Sequence, residues 1–405
     1  MRASSEVVIS KSGTTTGRAP PHRQGVGTCK VCNLPVQILE WERSGCHPAA
    51  RPMPTDDPAF QQRLERFLAT QLRADHVRIV TLSRSTEGFS QETFSFDVEV
   101  THGATSTTHG YVAKREPVAG LLEPYDLEPE FRVLHALSDH PFPSPPTPWF
   151  TRDPAVLDRP FYVMQRLVGE VPIPAPSADG SGPFTDGERA TLGPAIVRAL
   201  ADLHAVDWRR AGLDFLGAPG PGRAAATREL ARWETRLEQS GLPADPAITA
   251  AVLWLRAHIP SCDETTLVHG DYRLGNFLVD RDGARATLTG VLDWEMVHLG
   301  DPLEDLAWCA SPLWRAGTEY ASALLPPDEL TAAYAAASGR TVDPDRMRFY
   351  EVLTLVKMIA IMQTGIRAFN DGRTSDLRMA IFDHQLPFLL LVLAMTLDFF
   401  GGGAA

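Results

Sequence analysis

One stretch constrains this chain more than any other: Leu267-Val268-His269-Gly270-Asp271-Tyr272-Arg273-Leu274-Gly275-Asn276-Phe277-Leu278-Val279. Two apolar runs, too short for helices, flank a polar loop and read as strands. The loop carries His269, Asp271 and Asn276, so a carboxylate and a carboxamide five positions later share one rigid turn. Phosphoryl transfer asks for this pair: a carboxylate to take the nucleophile's proton, and a neutral oxygen ligand for Mg²⁺.

A second strand-like run, Ala286 to Leu292, ends in Asp293-Trp294-Glu295. That order puts Asp293 at the end of a hairpin partner, beside the first loop. A carboxylate there suits Mg²⁺, which prefers hard oxygen ligands and takes few of them from protein. Gly300-Asp301-Pro302-Leu303-Glu304-Asp305-Leu306-Ala307-Trp308 follows. Its turn chemistry ends with Pro302 placed to open a helix. Asp305, inside that helix, is positioned to brace the loop by accepting backbone N–H groups.

His-Gly-Asp-x-x-x-x-Asn, then Leu-Asp-Trp-Glu, then Gly-Asp-Pro-x-x-Asp-Leu-Ala resembles the aminoglycoside phosphotransferase family of the protein-kinase-like fold. The fuller pattern from Asp293 to Trp308 is most similar to the kinase-like domain of the acyl-CoA dehydrogenase 10 and 11 branch. The resemblance covers roughly Met53 to the C-terminus. It implies an α+β, bilobal fold, with a small antiparallel-sheet N-lobe over residues 55–164 and a mainly helical C-lobe over 165–405. Residues 1–54 then form a tail.

Composition fits an ordinary globular chain: 405 residues, 44% hydrophobic and 22% charged. A net charge of -12 argues against a nucleic-acid binder, whose footprint is basic. Five cysteines do not make a disulfide framework, and the N-terminus shows no apolar leader, so a cytoplasmic setting is expected. The apolar run Leu386 to Phe400 is interrupted by Pro387 and Asp398. It reads as a buried last helix rather than a membrane span. In the tail, Cys29, Cys32, Cys46 and His47 loosely match a zinc pattern, the competing reading being unstructured thiols.

Upstream, Asp57 to Leu72 has helical spacing, and Val77–Arg84, Glu92–Val100 and Thr108–Arg115 read as three strands. The loop between the first two strands contains Gly88 and Ser90. Its N–H groups can lie over phosphates, or it is an ordinary hairpin turn. The family usually has Gly-x-Ser-Asn here, where this chain has Gly88-Phe89-Ser90-Gln91. Lys114 closes the third strand and resembles the lysine that pairs the α- and β-phosphates, with Arg115 as its competitor on the opposite face. Leu127 to Leu137 reads as a helix with Asp126 as N-cap; its Glu130 is placed to orient Lys114. Phe161 to Leu167 reads as a strand entering the inter-lobe hinge, where the resemblance implies that backbone near Gln165 to Leu167 hydrogen-bonds adenine.

Further helices are expected over Phe184–Val206, Ala224–Ser240, Pro246–His258, Pro327–Ser338, Asp343–Phe369 and Thr374–Met395. His204 reads as a packed core histidine. Lys357, Gln363 and Arg367 either line an acceptor pocket or form a solvated face.

The expected chemistry is transfer of the γ-phosphoryl of Mg-ATP to a small-molecule hydroxyl. Asp271 would act as base, Arg273 would steady the transferred group, and Asn276 and Asp293 would hold Mg²⁺. His269 reads as scaffold. The apolar C-terminal helices favour a hydroxyacyl-CoA or hydroxy acid. Alternatives are an aminoglycoside or macrolide kinase, and a catalytically silent nucleotide-binding module. A protein kinase is disfavoured, because no Ala-Pro-Glu-like anchor follows Asp293 and Asp-Trp-Glu replaces Asp-Phe-Gly.

Overall fold

The structure is a computed structural model. It describes residues 57–85, 91–117, 121–122, 124–177, 180–243 and 245–398, plus two short strands nearer the N-terminus. The chain divides into two units, residues 1–52 and 53–405. In the first, β1 (Gly27–Thr28) pairs antiparallel with β2 (Pro35–Val36). The candidate zinc ligands Cys29, Cys32, Cys46 and His47 lie outside the described residues, as do Gly88 and Ser90.

The second unit opens with α1 (Pro58–Leu72), started by the Asp57 carboxylate accepting the Ala59 N–H at 2.9 Å. Strands β3 (His76–Arg84), β4 (Glu92–His102) and β5 (Thr105–Arg115) make an antiparallel meander. Along β4, Phe94, Phe96, Val98 and Val100 all point to the buried face, the strict alternation of a sheet with one covered side. Helix α2 (Glu128–Leu137) follows. Asp126 lies two residues before the first helical residue and accepts the Glu128 N–H at 3.1 Å. Strand β6 (Trp149–Thr151), the short helix α3 (Pro154–Leu157) and β7 (Phe161–Gln165) complete a five-stranded sheet of order β3-β4-β5-β7-β6.

The helical lobe begins with α4 (Asp186–His204), closed at its start by a capping box between Thr185 and Glu188. Helices α5 (Ala224–Ser240) and α6 (Pro246–Ala257) follow. Next come the strands that carry the site: β8 (Thr266–Val268), β9 (Phe277–Asp282), β10 (Arg285–Val291) and β11 (His298–Gly300). The two strands flanking the polar loop belong to different ladders: β8 pairs with β11, and β9 with β10. Helices α7 (Leu303–Ala310), α8 (Pro327–Ser338), α9 (Pro344–Asn370) and α10 (Leu377–Thr396) complete the lobe.

Two hydrophobic cores result. One joins α1 to the sheet through Phe60, Leu64, Leu68, Phe94 and Phe161. The larger one fills the helical lobe around α9 and also takes in Val133, Leu134 and Leu137 of α2. The Glu130-bearing helix, expected to belong with the sheet lobe, therefore buries its apolar face in the larger core.

The last helix departs from expectation. Helices α9 and α10 are both long and apolar enough to cross a membrane, but α9 is mostly buried inside the lobe whereas α10 is mostly exposed. Leu389 and Leu393 of α10 are buried, while Phe388, Leu391 and Met395 face outward. Apolar content alone does not say which side of a helix finds a partner.

Candidate active site

Lys114 and Arg115 leave β5 on opposite faces. Arg115 turns under α1, where it pairs with Glu92, donates to the Leu157 carbonyl at 2.9 Å and lies over the Phe60 and Phe94 rings. Lys114 points the other way. Its ammonium donates to Glu130 Oε1 at 3.2 Å and to Asp293 Oδ1 at 3.1 Å. Burial alone would depress its pKa, but Glu130, Tyr162, Asp293 and Glu295 outweigh that and hold it well above the ordinary lysine value. Glu130 is fixed in turn by the Tyr162 hydroxyl on Oε1 (2.7 Å) and the Gln91 amide on Oε2 (2.7 Å). Gln91, at the place where the family's asparagine usually stands, thus orients the helix carboxylate.

Asp293 follows directly on Leu292 with φ of 68°, a left-handed conformation uncommon for a residue with a side chain. Burial raises its pKa; Lys114 and Arg273 overcome this and hold it below the usual carboxylate value. The Leu292 N–H donates to the Asn276 carbonyl at 2.8 Å, so the backbone ties Asp293 to the polar loop.

On that loop, every oxygen of Asp271 has a donor. Oδ1 accepts from Arg273 Nε (2.7 Å) and Trp308 Nε1 (2.7 Å), and Oδ2 from Asn276 Nδ2 (2.6 Å). Asn276 Nδ2 also reaches the Asp271 carbonyl at 2.8 Å. The Arg273 guanidinium stacks over the Trp314 ring at 4.3 Å.

The loop is braced from below by Asp305, which accepts the His269 N–H at 2.7 Å and the Gly270 N–H at 2.8 Å. His204 and Tyr334 continue the chain, with His204 Nε2 at 3.2 Å from Asp305 and Nδ1 at 2.7 Å from the Tyr334 hydroxyl. His269 Nδ1 accepts the Asp271 N–H (3.1 Å), and the other ring nitrogen faces the Leu292 carbonyl at 3.1 Å. Burial lowers its pKa, so it is a neutral ring holding the loop's shape. Gly270 has φ of 81°, and a Cβ there would stand 2.6 Å from the Met296 carbonyl, so no larger residue fits.

Two residues of this brace were given no such role from the sequence: Trp308 was only part of a motif, and Lys357 was expected at an acceptor pocket or on a solvated face. Trp308 holds Asp271, and Lys357 on α9 donates to the Gly270 carbonyl and to Glu304 (3.3 Å) with its ammonium 4.4 Å from the Trp308 ring centre. The position of Trp308 in Asp305-Leu306-Ala307-Trp308, three residues after the bracing aspartate and so one helical turn on, was the available signal. Lys357 is buried behind the loop rather than lining a pocket. Gln363 is also buried and bonds Ser240 (3.1 Å), whereas Arg367 is exposed and pairs with Asp371. Glu229, His298 and Glu304 converge beside Lys357 as a trio with metal-ligand geometry. Burial would lower the His298 pKa, but Glu229 and Glu304 outweigh it and raise it. The same groups are linked as ion pairs, with His298 Nε2 3.6 Å from Glu229 and 3.1 Å from Glu304, and Lys357 Nζ 3.3 Å from Glu304.

At the hinge, the Gln165 N–H is taken by the Pro146 carbonyl (2.8 Å) and the Arg166 N–H by Gly110 (2.9 Å). Among the described residues nothing takes the Leu167 N–H. Leu167 also crowds Gly290 of β10, where a Cβ would meet its Cδ1 at 2.7 Å. The structure therefore gathers Asp271, Arg273 and Asn276 in one cluster and Lys114, Glu130 and Asp293 in a second, joined through Leu292, with Leu167 against the hairpin.

A family model described as the phosphotransferase enzyme family (APH) matches residues 85–350, well over half of the chain. Acyl-CoA dehydrogenase family member 11 of Rattus norvegicus is 28% identical over 331 residues, 77% of this chain and 40% of the relative. Member 10 of Mus musculus is 28% identical over 291 residues, 70% of this chain and 26% of the relative. The chain thus spans well under half the length of these relatives. Among solved structures, a Ralstonia eutropha JMP134 protein classed with the aminoglycoside phosphotransferases superposes with a TM-score of 0.63 at 24% identity, covering 83% of this chain and 97% of that one. A type I macrolide 2'-phosphotransferase does so with a TM-score of 0.54 at 20% identity, covering 82% and 99%. These likenesses place the chain in the bilobal, protein-kinase-like α+β fold.

Proposed function

We propose a reaction for this chain, which belongs to the phosphotransferase enzyme family: it moves the γ-phosphoryl group of Mg-ATP to the hydroxyl of a small molecule. The observation that carries this reading is the pairing of Lys114 with both Glu130 and Asp293, beside an Asp271 whose two oxygens are held in place by three donors. Held rigid, Asp271 can accept the hydroxyl hydrogen without first paying to be ordered.

In the proposed step, the substrate oxygen forms a bond to the γ-phosphorus as the bond to the bridging β,γ-oxygen breaks. Asp271 receives the hydroxyl proton, and ADP leaves with the bonding electron pair. Arg273, already on Asp271, faces the transferred group. Lys114, kept charged by its carboxylate neighbours, meets the phosphates, and the Leu167 N–H is the hinge donor for adenine. Asn276 and Asp293 fit Mg²⁺: with its nitrogen committed to Asp271, Asn276 has its amide oxygen left, and Asp293 supplies a carboxylate, both hard donors. Mg²⁺ held there would neutralise phosphate charge.

For the acceptor we propose a hydroxyacyl-CoA or hydroxy acid, supported by the names of the relatives. The apolar side chains of α9 no longer support it, since they fill the core. A second reading, a cationic antibiotic, has one observation in its favour. A cleft of about 280 Å³ between α5, α6 and α9 carries the carboxylates of Glu234, Glu238 and Asp245. Its Gln363 lies about 9 Å along α9 from Lys357.

The test is label transfer from γ-labelled ATP to a panel of hydroxyacyl-CoAs, hydroxy acids, aminoglycosides and macrolides. Transfer to any of them should vanish in Asp271→Asn while nucleotide binding persists. Tight nucleotide binding with no transfer to any acceptor, and no ATP hydrolysis, would leave a silent nucleotide-binding module instead.

A further inference from the structure

Helix α10 carries two apolar stripes on opposite faces. Met379, Phe382, Leu386, Leu389 and Leu393 recur at steps of three and four residues and pack onto the body of the lobe. The other stripe is Leu377, Ile381, Phe388, Leu391 and Met395, which are 70, 50, 67, 48 and 63% exposed. With His384 as the one polar level, this stripe advances by 4, 3, 4, 3 and 4 residues. That is the two-in-seven period of a coiled-coil seam, which demands a second helix with a matching seam. A helix that is apolar on two sides needs a partner on each, and among the described residues only one face of α10 is covered.

We propose that the second partner is α10 of another copy of this chain, packed antiparallel across a two-fold axis. The spacing reads the same in both directions. An antiparallel copy therefore sets Leu377 against the partner's Met395, Ile381 against the partner's Leu391, and His384 against the partner's Phe388. A parallel copy would stack His384 on the partner's His384. Ala380 and Ala394 flank the seam, and their small side chains allow close approach of the two helices. The seam is about 27 Å long, and the contact is isologous, so it closes at two copies. A lipid surface is the poorer fit. The polar residues flanking His384 are Asp383 and Gln385 rather than a row of lysines and arginines, and Arg378 is already paired with Asp376.

Sedimentation velocity of the purified full chain over a concentration series tests this. The expected result is a dimer that becomes a monomer in Phe388→Glu and in Leu391→Glu, with the circular dichroism spectrum retained because both positions are exposed. Gln385→Cys, beside the proposed axis, should form a disulfide-linked dimer under mild oxidation, joined through residue 385 in peptide mass spectra. A wild-type chain that is monomeric at every concentration overturns the proposal, as does a dimer that survives both glutamate substitutions. A dimer lost in Phe388→Glu but never linked through residue 385 overturns the antiparallel arrangement. A monomeric wild type that floats with phosphatidylcholine–phosphatidylserine vesicles, and ceases to do so as Phe388→Glu, assigns the face to lipid and likewise overturns it.

Discussion

At the scale of single residues, the site depends on how Asp271 is held. Trp308 contributes one neutral N–H to Oδ1 and also offers its ring face to Lys357. Trp308→Phe keeps a ring for the ammonium and removes the donor. A hydrogen bond to a charged group is worth about 1.5–3 kcal/mol, so kcat should fall roughly ten- to a hundredfold. The KM for ATP should stay near the wild-type value, which steady-state kinetics can show. Lys357→Met makes a different prediction. It leaves Glu304 with fewer cations in a buried place, and breaking such a pair costs about 3–5 kcal/mol. Urea denaturation should record most of that loss in stability.

The same cluster sets a pH dependence. Burial raises the Glu304 pKa, but His298 and Lys357 bring it down to about 2 from an ordinary 4.5. A depressed carboxylate stabilises the fold above its unfolded pKa, and that contribution disappears as pH falls from 4.5 towards 2. His298 is shifted upward, so its contribution is present below 6.5 and is lost as pH climbs through its raised value. Unfolding free energy measured against pH should therefore decline on both sides. His298→Gln should flatten the alkaline decline and also shrink the acid one, because His298 is the first of the groups that hold Glu304 down.

At the scale of elements, most boundaries were readable because they rest on local chemistry. The α5 and α8 ranges agree to the residue. The start of α4 is pinned by Thr185 and Glu188, whose reciprocal bonds form the capping box. Thr185→Ala should cost about 1 kcal/mol, measurable by denaturant titration, without changing the reaction's KM values. Other features were out of reach for physical reasons. Strand β11 has three residues, too few to show an alternation, yet it holds β8 in place. The sequence marks Ala286 to Leu292 as a hairpin partner, and β10 does pair with β9, whereas the partner of β8 is the distant β11. Lys357 sits 87 residues from Gly270 in the middle of an apolar helix, where periodicity marks it as a fault in the stripe rather than as a contact for the loop. The burial of α10 was misjudged because composition gives a helix's apolarity but not the number of its neighbours.

At the scale of the whole molecule, a buried cation ties together elements rooted in two hydrophobic cores. Lys114 belongs to the sheet, Glu130 to a helix rooted in the larger core, and Asp293 to the hairpin of the helical lobe. Saturating Mg-ATP should stabilise the folded chain by mass action, by about 2.7 kcal/mol at a hundred times the dissociation constant. A thermal-shift assay should show this for the wild type, and much less of it for Lys114→Met.

The left-handed backbone at Asp293 has a consequence for how tolerance to mutation would be distributed along the chain. Glycine adopts that conformation freely, whereas aspartate holds it at a cost of order 1–3 kcal/mol. In a library of all single substitutions, every change at Asp293 breaks its pair with Lys114, but Asp293→Gly alone also relieves the backbone, so it would rank above the other Asp293 variants when cells are sorted for abundance of the protein, and among the null variants when they are sorted for turnover. Positions where those two rankings part company are positions that selection has kept for chemistry against the interest of the fold.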